Sequence, residues 1–129
     1  MNWVDSALNG HATALSLRSQ RSEIIAGNIT NADTPNFKSR DIDFRSEFEN
    51  RLSGMQQLNT TTKSQFKSSE GASSSNLMYR VPYLMSENGN SVEAETEQAA
   101  YTKNAIQYQV SIQFLSSKIS GLKLALKGE

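Results

Sequence analysis

The C-terminal segment carries an apolar repeat that restricts the fold more than any other feature of the sequence. Apolar side chains recur there at alternating steps of four and three without interruption, at Tyr101, Ala105, Tyr108, Ile112, Leu115, Ile119, Leu122 and Leu126. Such a repeat is typical of a helix that packs along a coiled-coil seam. We therefore predict a C-terminal helix over residues 91–129, with a capping box of Asn90 and Glu93 before it and Gly128 as its terminator.

A second apolar stripe lies beside this seam and consists of Ala99, Ile106, Val110 and Phe114. In a simple two-helix hairpin this stripe would stay in contact with water, although burying each large side chain is worth about 1.5–3 kcal/mol. The stripe therefore favours packing against further subunits. An isolated antiparallel hairpin remains the alternative.

The N-terminal segment, residues 1–32, has apolar or small residues at helical spacing with several polar interruptions. They are Val4, Leu8, Leu15, Ile25, Ile29 and Ala32. The pattern predicts an amphipathic helix that Asn31 closes in a left-handed conformation. We expect the two terminal helices to pair as a coiled coil, which makes the fold class all-α dominated.

The residues between the helices, 33–90, differ in composition. Over 53–76 most residues are Ser, Thr, Gln, Asn or Gly without a sustained period, which predicts disorder or weak order in the free chain. An apolar stretch over 78–85 is consistent with a short strand or a docking segment, and residues 87–90 form a turn into the last helix. We expect this middle segment to be extended, partly disordered or weakly β.

Composition and motifs argue against an enzyme. Thirteen Lys and Arg residues balance thirteen Asp and Glu residues, so no net charge draws the chain to nucleic acid or to an anionic membrane. Cysteine is absent, and the sequence contains no phosphate-binding loop, nucleophile elbow or zinc motif. We therefore assign no catalytic, cofactor-binding or metal-binding residues and expect neither nucleic-acid binding nor membrane insertion.

Two features could suggest a metal site, and each has a simpler interpretation. The only histidine, His11, lies on the apolar side of the first helix without a partner at metal-ligand spacing, so we expect a packing or interfacial residue. Asp41 and Asp43 alternate with Ile42 and Phe44, which would point both carboxylates to one side of an extended segment. We interpret this pattern as a solvated strand face rather than a weak cation site.

Residues 26–38 predict a defined change from helix to extended chain. Asn28 and Asn31 carry short amides that can hydrogen-bond to nearby backbone at a helix end. Pro35 and Asn36 fit the two central positions of a type II turn. Physical chemistry alone therefore gives a structured corner here rather than a catalytic site.

This corner resembles the N-terminal motif of the axial proteins of the bacterial flagellum, a family that includes rod and hook proteins. The residues that match the motif are Ala26, Asn28, Ile29, Asn31, Thr34, Asn36, Phe37 and Lys38. Gly27 and Thr30 stand where the motif has asparagine and alanine. Later blocks over 79–82, 88–93 and 104–109 are also similar to the proximal rod members and follow in the family's order.

The resemblance implies a structural subunit of the basal-body rod that polymerises through its terminal helices, transmits torque and is needed for flagellum assembly and motility. Its implied partners are copies of the chain, the next rod protein FlgC, the gate-proximal protein FliE and the flagellar type III export apparatus. Export would bring the chain to the periplasmic rod without a cleaved signal. The implied assembly motif is Ala26, Asn28, Ile29, Asn31, Thr34, Pro35 and Phe37.

Phe44 and Phe48 match the shape of the short export-gate motif found in early rod and hook subunits. Two alternatives to the rod subunit remain open. A rod or hook relative at another axial level would keep the asparagine-rich corner but differ in the middle segment. An unrelated cytosolic coiled-coil adaptor would form a discrete oligomer and would not be secreted.

Overall fold

The computed structural model describes residues 3–58, 76–84 and 86–128 of the chain. Its elements in chain order are helix α1 (Trp3–Thr30), strand β1 (Arg40–Ile42), helix α2 (Phe44–Leu58), strand β2 (Leu77–Tyr79) and helix α3 (Ala94–Lys127). The helix-dominated fold class and the long N- and C-terminal helices are confirmed. Much of the stretch for which the sequence predicts disorder, residues 59–75, lies outside the described residues.

Helices α1 and α3 lie side by side and run antiparallel. Arg18 bonds to Ser111, whereas Ser22, which comes later on α1, bonds to Asn104, which comes earlier on α3. These contacts are polar, and Asn104 donates a further hydrogen bond of 2.8 Å to the carbonyl oxygen of Arg18. The helix pair is therefore held in part by specific hydrogen bonds rather than by apolar layers alone.

The described apolar core is small. Its fully or nearly fully buried members are Leu17 and Ile25 on α1 and Ile42 on β1. On α3 the buried residues are the polar Glu97 and Asn104. The core thus lies where α1, β1 and the first turns of α3 meet, and the far half of α3 contributes little to it.

The sequence predicts the C-terminal end of α3 correctly but not its N-terminal end. Gly128 is left-handed, with φ of 73°, and its N–H donates to the carbonyl oxygen of Leu124 at 3.2 Å, so the predicted terminator is confirmed. The predicted capping box is wrong, because the helix begins at Ala94 and Glu93 is its N-cap residue without a side-chain capping bond. The Glu93 carboxylate instead accepts hydrogen bonds from the backbone N–H groups of residues 83 and 84.

The middle segment contains a helix that the sequence analysis did not predict, α2. Asp43 supports its start, since the carboxylate accepts hydrogen bonds from the N–H groups of Arg45 and Ser46 at 3.2 and 3.4 Å. Glu47 lies in the first turn and pairs with Arg51 at 3.3 Å, one helical turn later. The polar composition over 53–58 predicts weak order, but capping and charge pairs support a helix here.

Strands β1 and β2 form a two-stranded antiparallel sheet, which is the weakly β element expected of the middle segment. Arg40 is opposite Tyr79, Asp41 is opposite Met78, and Ile42 is opposite Leu77. The sheet places the apolar stretch after residue 76 beside the end of α1.

Across the described ranges, no helix is both long enough and apolar enough to span a lipid bilayer.

Candidate functional site

The corner after α1 has the turn that the sequence predicts. Asn36 has a positive φ of 60°, and the Phe37 N–H donates to the carbonyl oxygen of Thr34 at 3.3 Å, as in a type II turn. The expected left-handed conformation at Asn31 is wrong, because Asn36 is the one described non-glycine residue with positive φ. The Asn31 side chain instead donates to the carbonyl oxygen of Gly27 at 2.8 Å, which keeps the last turn helical.

Asn28 ties β1 to the end of α1. It is 2% exposed, and its Oδ1 accepts from the Arg40 N–H at 3.1 Å while its Nδ2 donates to the Arg40 carbonyl oxygen at 2.7 Å. The amide therefore replaces the backbone of a neighbouring strand on the free side of β1. The same Nδ2 lies 3.2 Å from Oε2 of Glu97, which brings the first turn of α3 to the same point.

Asn90 closes the end of α1 from much later in the chain. Its Nδ2 lies 2.6 Å from the carbonyl oxygen of Ala32, 2.9 Å from that of Thr34 and 3.0 Å from that of Asn31. Its Oδ1 accepts from the N–H of Val92 at 2.7 Å. One buried amide thus binds three backbone carbonyls of the turn that follows α1.

The residues on either side of Asn90 form a second connection to the segment that follows α1. Asn36 N–H donates to the carbonyl oxygen of Asn88 at 3.0 Å, and the N–H of buried Ser39 donates to Oγ of Ser91 at 2.8 Å. Gly89 is left-handed, with φ of 74°, and a Cβ at this position would lie 2.5 Å from Oδ1 of Asn36. The positive φ therefore favours glycine here, and a larger residue would also displace the exposed side chain of Asn36.

Four charged side chains from α1, β1, α3 and the segment after β2 form an ion cluster beside Asn28. Arg21 binds Asp41 through two parallel bonds of 2.9 and 2.8 Å, and Arg80 binds the same carboxylate from the other side. Arg80 Nη1 also lies 3.2 Å from Oε1 of Glu97, whose side chain is 1% exposed. That Oε1 receives no hydrogen bond, so its contact with Arg80 is ionic.

The ion cluster shifts the pKa of two of its members, Asp41 and Arg21. Burial disfavours the charged form of Asp41, but hydrogen bonds from Arg21, the Ile42 N–H and Arg80 outweigh burial and hold the pKa of this carboxyl below its usual value. The hydrogen bond to Asp41 outweighs desolvation and raises the pKa of Arg21. The interpretation as a solvated strand face is therefore wrong for Asp41, whose side chain is only 18% exposed.

Arg18 links all three helices. Its Nη1 donates to Oε1 of Gln107 at 2.6 Å, its Nε donates to Oγ of Ser111 at 3.2 Å, and its guanidinium lies 4.5 Å from the ring centroid of Phe44. Burial lowers the pKa of Arg18, with the neighbouring Arg21 charge as a second cause. The ring of Phe44 stacks on that of Phe48 at 5.8 Å between centroids, which places the candidate export-gate motif on α2 with both rings half-buried.

The structure gathers the predicted assembly motif at the end of α1, with different exposures. Asn28 is buried, Ile29, Asn31 and Phe37 are half-buried, and Ala26, Thr34 and Pro35 are exposed. His11 is half-buried on α1. Within the described ranges, no group of three or more His, Asp or Glu side chains is placed to hold a metal ion.

The predicted seam of α3 is partly covered within the single chain. Tyr108, Leu115 and Leu122 are half-buried, Ile112 and Ile119 are 38% and 39% exposed, and Tyr101, Ala105 and Leu126 are also exposed. The second stripe is more open, since Ile106 and Phe114 are 61% and 60% exposed. The chain therefore presents a long apolar surface on α3 that α1 does not cover.

Sequence reasoning missed the ion cluster and the role of Asn90. The members of each are separated by up to 76 residues, so no local spacing connects them. One signal was present, because Arg80 is the only charged residue in an otherwise apolar stretch, and a charge in such a setting requires a partner.

Paired terminal helices, a rigid polar corner and an uncovered apolar helix face define a structural subunit that is built to pack against other subunits. Residues 8–38 match the family model described as Flagella basal body rod protein. The flagellar basal body rod protein FlgB of Cereibacter sphaeroides is 43% identical over 122 residues, which cover 95% of this chain and 94% of that protein. The FlgB proteins of Aeromonas hydrophila and Salmonella typhimurium are 42% and 38% identical, and each alignment covers 97% of this chain and 96% of the relative.

The chain therefore belongs to the FlgB family of flagellar basal body rod proteins. It is a structural subunit of the flagellar basal body rod. This assignment is favoured over a rod or hook relative at another axial level and over a cytosolic adaptor.

Proposed function

We propose that the chain is a proximal rod subunit that polymerises through the outer faces of its terminal helices. The observation that carries the proposal is the uncovered apolar surface of α3, where Ile106, Val110 and Phe114 are 61%, 46% and 60% exposed. Covering such side chains is worth about 1.5–3 kcal/mol each. Contacts between different faces of identical subunits generate helical filaments when the rotation does not close a ring.

The corner gives this polymer a fixed geometry. Asn28, Asn90 and the ion cluster hold α1, β1 and the start of α3 together through buried hydrogen bonds and charge pairs. A neighbouring subunit then meets a surface whose parts cannot move independently. Torque passes through many such buried contacts between the export gate and the rest of the rod, rather than through one residue.

The partners we infer are copies of this chain, FlgC on the distal side, FliE on the gate side and the flagellar type III export apparatus. We place the assembled subunit in the periplasmic part of the basal body. Phe44 lies under Arg18 and stacks on Phe48 in the folded chain. The export apparatus therefore recognises this pair, as a candidate export-gate motif, before the chain folds.

The proposal is tested by complementing a deletion strain with matched variants of α3. Val110→Asp puts a charge into the proposed interface, whereas Gln109→Asp puts the same charge on the preceding residue of the helix, which is exposed, polar and about 100° around the helix from Val110. Burying an unpaired carboxylate is strongly unfavourable. We expect Val110→Asp to abolish swimming and to leave purified basal bodies without hook protein, while Gln109→Asp restores both.

Circular dichroism of the purified variants checks that each retains its helices. Equal complementation by the two variants would reject polymerisation through this face of α3. Normal swimming of the deletion strain itself would reject the requirement for this subunit in the rod.

A further inference from the structure

Residues 77–84, which we name the apolar island, expose a group of large side chains that no other described residue covers. They are Leu77, Met78, Tyr79, Val81, Tyr83 and Leu84, with exposures from 44% to 94%. The island is adjacent to a cleft of about 310 Å³ that Tyr79, Val81 and Pro82 line together with Lys38 and Gly89. Exposed apolar groups that are clustered in this way mark an interaction site.

The island is held in place rather than loosely attached. Its Arg80 takes part in the ion cluster, and the Arg80 N–H donates to the carbonyl oxygen of Ser39 at 3.0 Å. The Glu93 carboxylate accepts from the N–H groups of Tyr83 and Leu84 at 2.9 and 3.2 Å. These bonds fix the backbone of the island while its apolar side chains point to solvent. The island backbone therefore loses little conformational entropy when a partner binds.

The rest of the chain limits which of its own surfaces could cover the island in a second copy. Among the described residues, every large apolar side chain that is exposed lies either in the island or on α3. Helix α1 and helix α2 therefore offer no comparable apolar surface in their described parts. Island against island would be a two-fold contact that closes a dimer and ends growth. Among the surfaces whose side chains are described, the outer face of α3 remains.

Charge supports the same pairing. Residues 98–117 of α3 contain one charged residue, Lys103, although most of them are exposed. Helix α2, by contrast, carries four charged residues, Arg45, Glu47, Glu49 and Arg51, in its 15 residues. The island has a single charge, Arg80, which is already paired. Two uncharged surfaces can exclude water from each other without leaving an ion buried and unpaired, and depletion of charge is typical of interface cores.

The two surfaces of one chain cannot meet each other. The island is anchored at Glu93, next to the start of α3, whereas the stripe of Ile106, Val110 and Phe114 begins 13 residues later on the same helix. At 1.5 Å per residue the centre of the stripe lies about 26 Å along the helix from Glu93. A second copy that is displaced along α3 by about 20–30 Å brings its stripe to the island.

We propose that the apolar island of one subunit receives the outer stripe of α3 from a second copy of the chain. The proposal rests on the proposed function, since it names the two faces of the heterologous contact on which the polymer is built. Each subunit then offers its island to one neighbour and its stripe to another, with an axial offset set by the distance between them.

The absence of cysteine from the chain makes a direct test simple. Val81→Cys and Val110→Cys are introduced together into the complementing chain, and assembled basal bodies are oxidised and separated without reductant. We expect a ladder of disulfide-linked copies, because each subunit contributes one cysteine to each of two contacts. The matched control pairs Val81→Cys with Gln109→Cys, which is exposed but lies about 100° around the helix from Val110. The control should give no ladder.

Swimming of the double-cysteine strain under reducing conditions shows separately whether the rod still assembles. A strain that swims but gives no ladder overturns the island–stripe contact and leaves the proposed function intact. If the cysteine pair prevents assembly, Tyr83 is replaced by the aromatic photocrosslinker p-benzoylphenylalanine, since Tyr83 is 94% exposed and tolerates the change. Crosslinked peptides from residues 106–114 of a second copy support the contact, and peptides from any other region or protein overturn it.

Discussion

Buried asparagine side chains make many of the hydrogen bonds that hold distant parts of this subunit together. Asn28, Asn90 and Asn104 each donate to a backbone carbonyl in a distant part of the chain. An asparagine amide has a donor and an acceptor on a short arm, so it can mimic a peptide group where two elements meet at an angle. Aspartate would lack the donor, and leucine would lack both groups.

Asn28→Ala should lower the free energy of unfolding by about 3 kcal/mol, because the Arg40 N–H and the buried Glu97 carboxylate lose their partner together. Asn50→Ala, on the exposed surface of α2, is the matched control and should change stability by less than about 0.5 kcal/mol. Urea unfolding followed by circular dichroism measures both. Equal values for the two variants would contradict the role of Asn28 at the corner.

Asp41 gives the subunit an acid-sensitive contribution to stability. Because its pKa is lowered in the folded chain from the unfolded value of 3.8, the contribution is complete above that value. It is lost as the pH falls below 3.8 and through the lower folded pKa, where Arg21 and Arg80 lose the charge they share. The free energy of unfolding of the wild type should therefore fall more steeply on acidification below pH 4 than that of Asp41→Asn. Parallel pH profiles would contradict this assignment.

The helices are coupled at the next scale by side chains that touch more than one of them. Arg18 contacts Phe44 on α2 and both Gln107 and Ser111 on α3. A double-mutant cycle of Arg18→Met and Phe44→Leu should give a coupling energy of about 0.5–1 kcal/mol, as expected for a cation lying over an aromatic ring. Urea unfolding of the four proteins provides the values. A coupling energy near zero would show that α2 is held to α1 by other contacts.

The features of the elements that the sequence predicts are those decided by near neighbours. The helical repeats, the Pro35–Asn36 turn and the Gly128 terminator follow from spacing and from the backbone preferences of single residues. The capping box failed because Glu93 binds residues 83 and 84, which no local pattern reveals. The ion cluster and the Asn90 contacts also join distant residues, so they could not be derived from local pattern.

The whole subunit separates the contacts that fold it from the surface left for assembly. Because Ile106 and Phe114 are mostly exposed, Ile106→Gln with Phe114→Gln should change the free energy of unfolding by less than about 1 kcal/mol. The same double variant should weaken self-association of the purified chain, as measured by sedimentation velocity over a range of concentrations. Gln109→Ala with Ser116→Ala, at exposed positions about 100° or more around the helix from Val110, is the control and should leave association unchanged. A large loss of stability in the first variant would place the stripe inside the fold.

The contact between Asn90 and the turn after α1 also determines when the corner can form during folding. Asn90, Ser91 and Glu97, which complete the corner, all belong to the last third of the 129-residue chain. Until that last third of a growing polypeptide is present, the turn after α1 lacks its three bonds from Asn90. The corner can therefore close only after the last third of the chain is present.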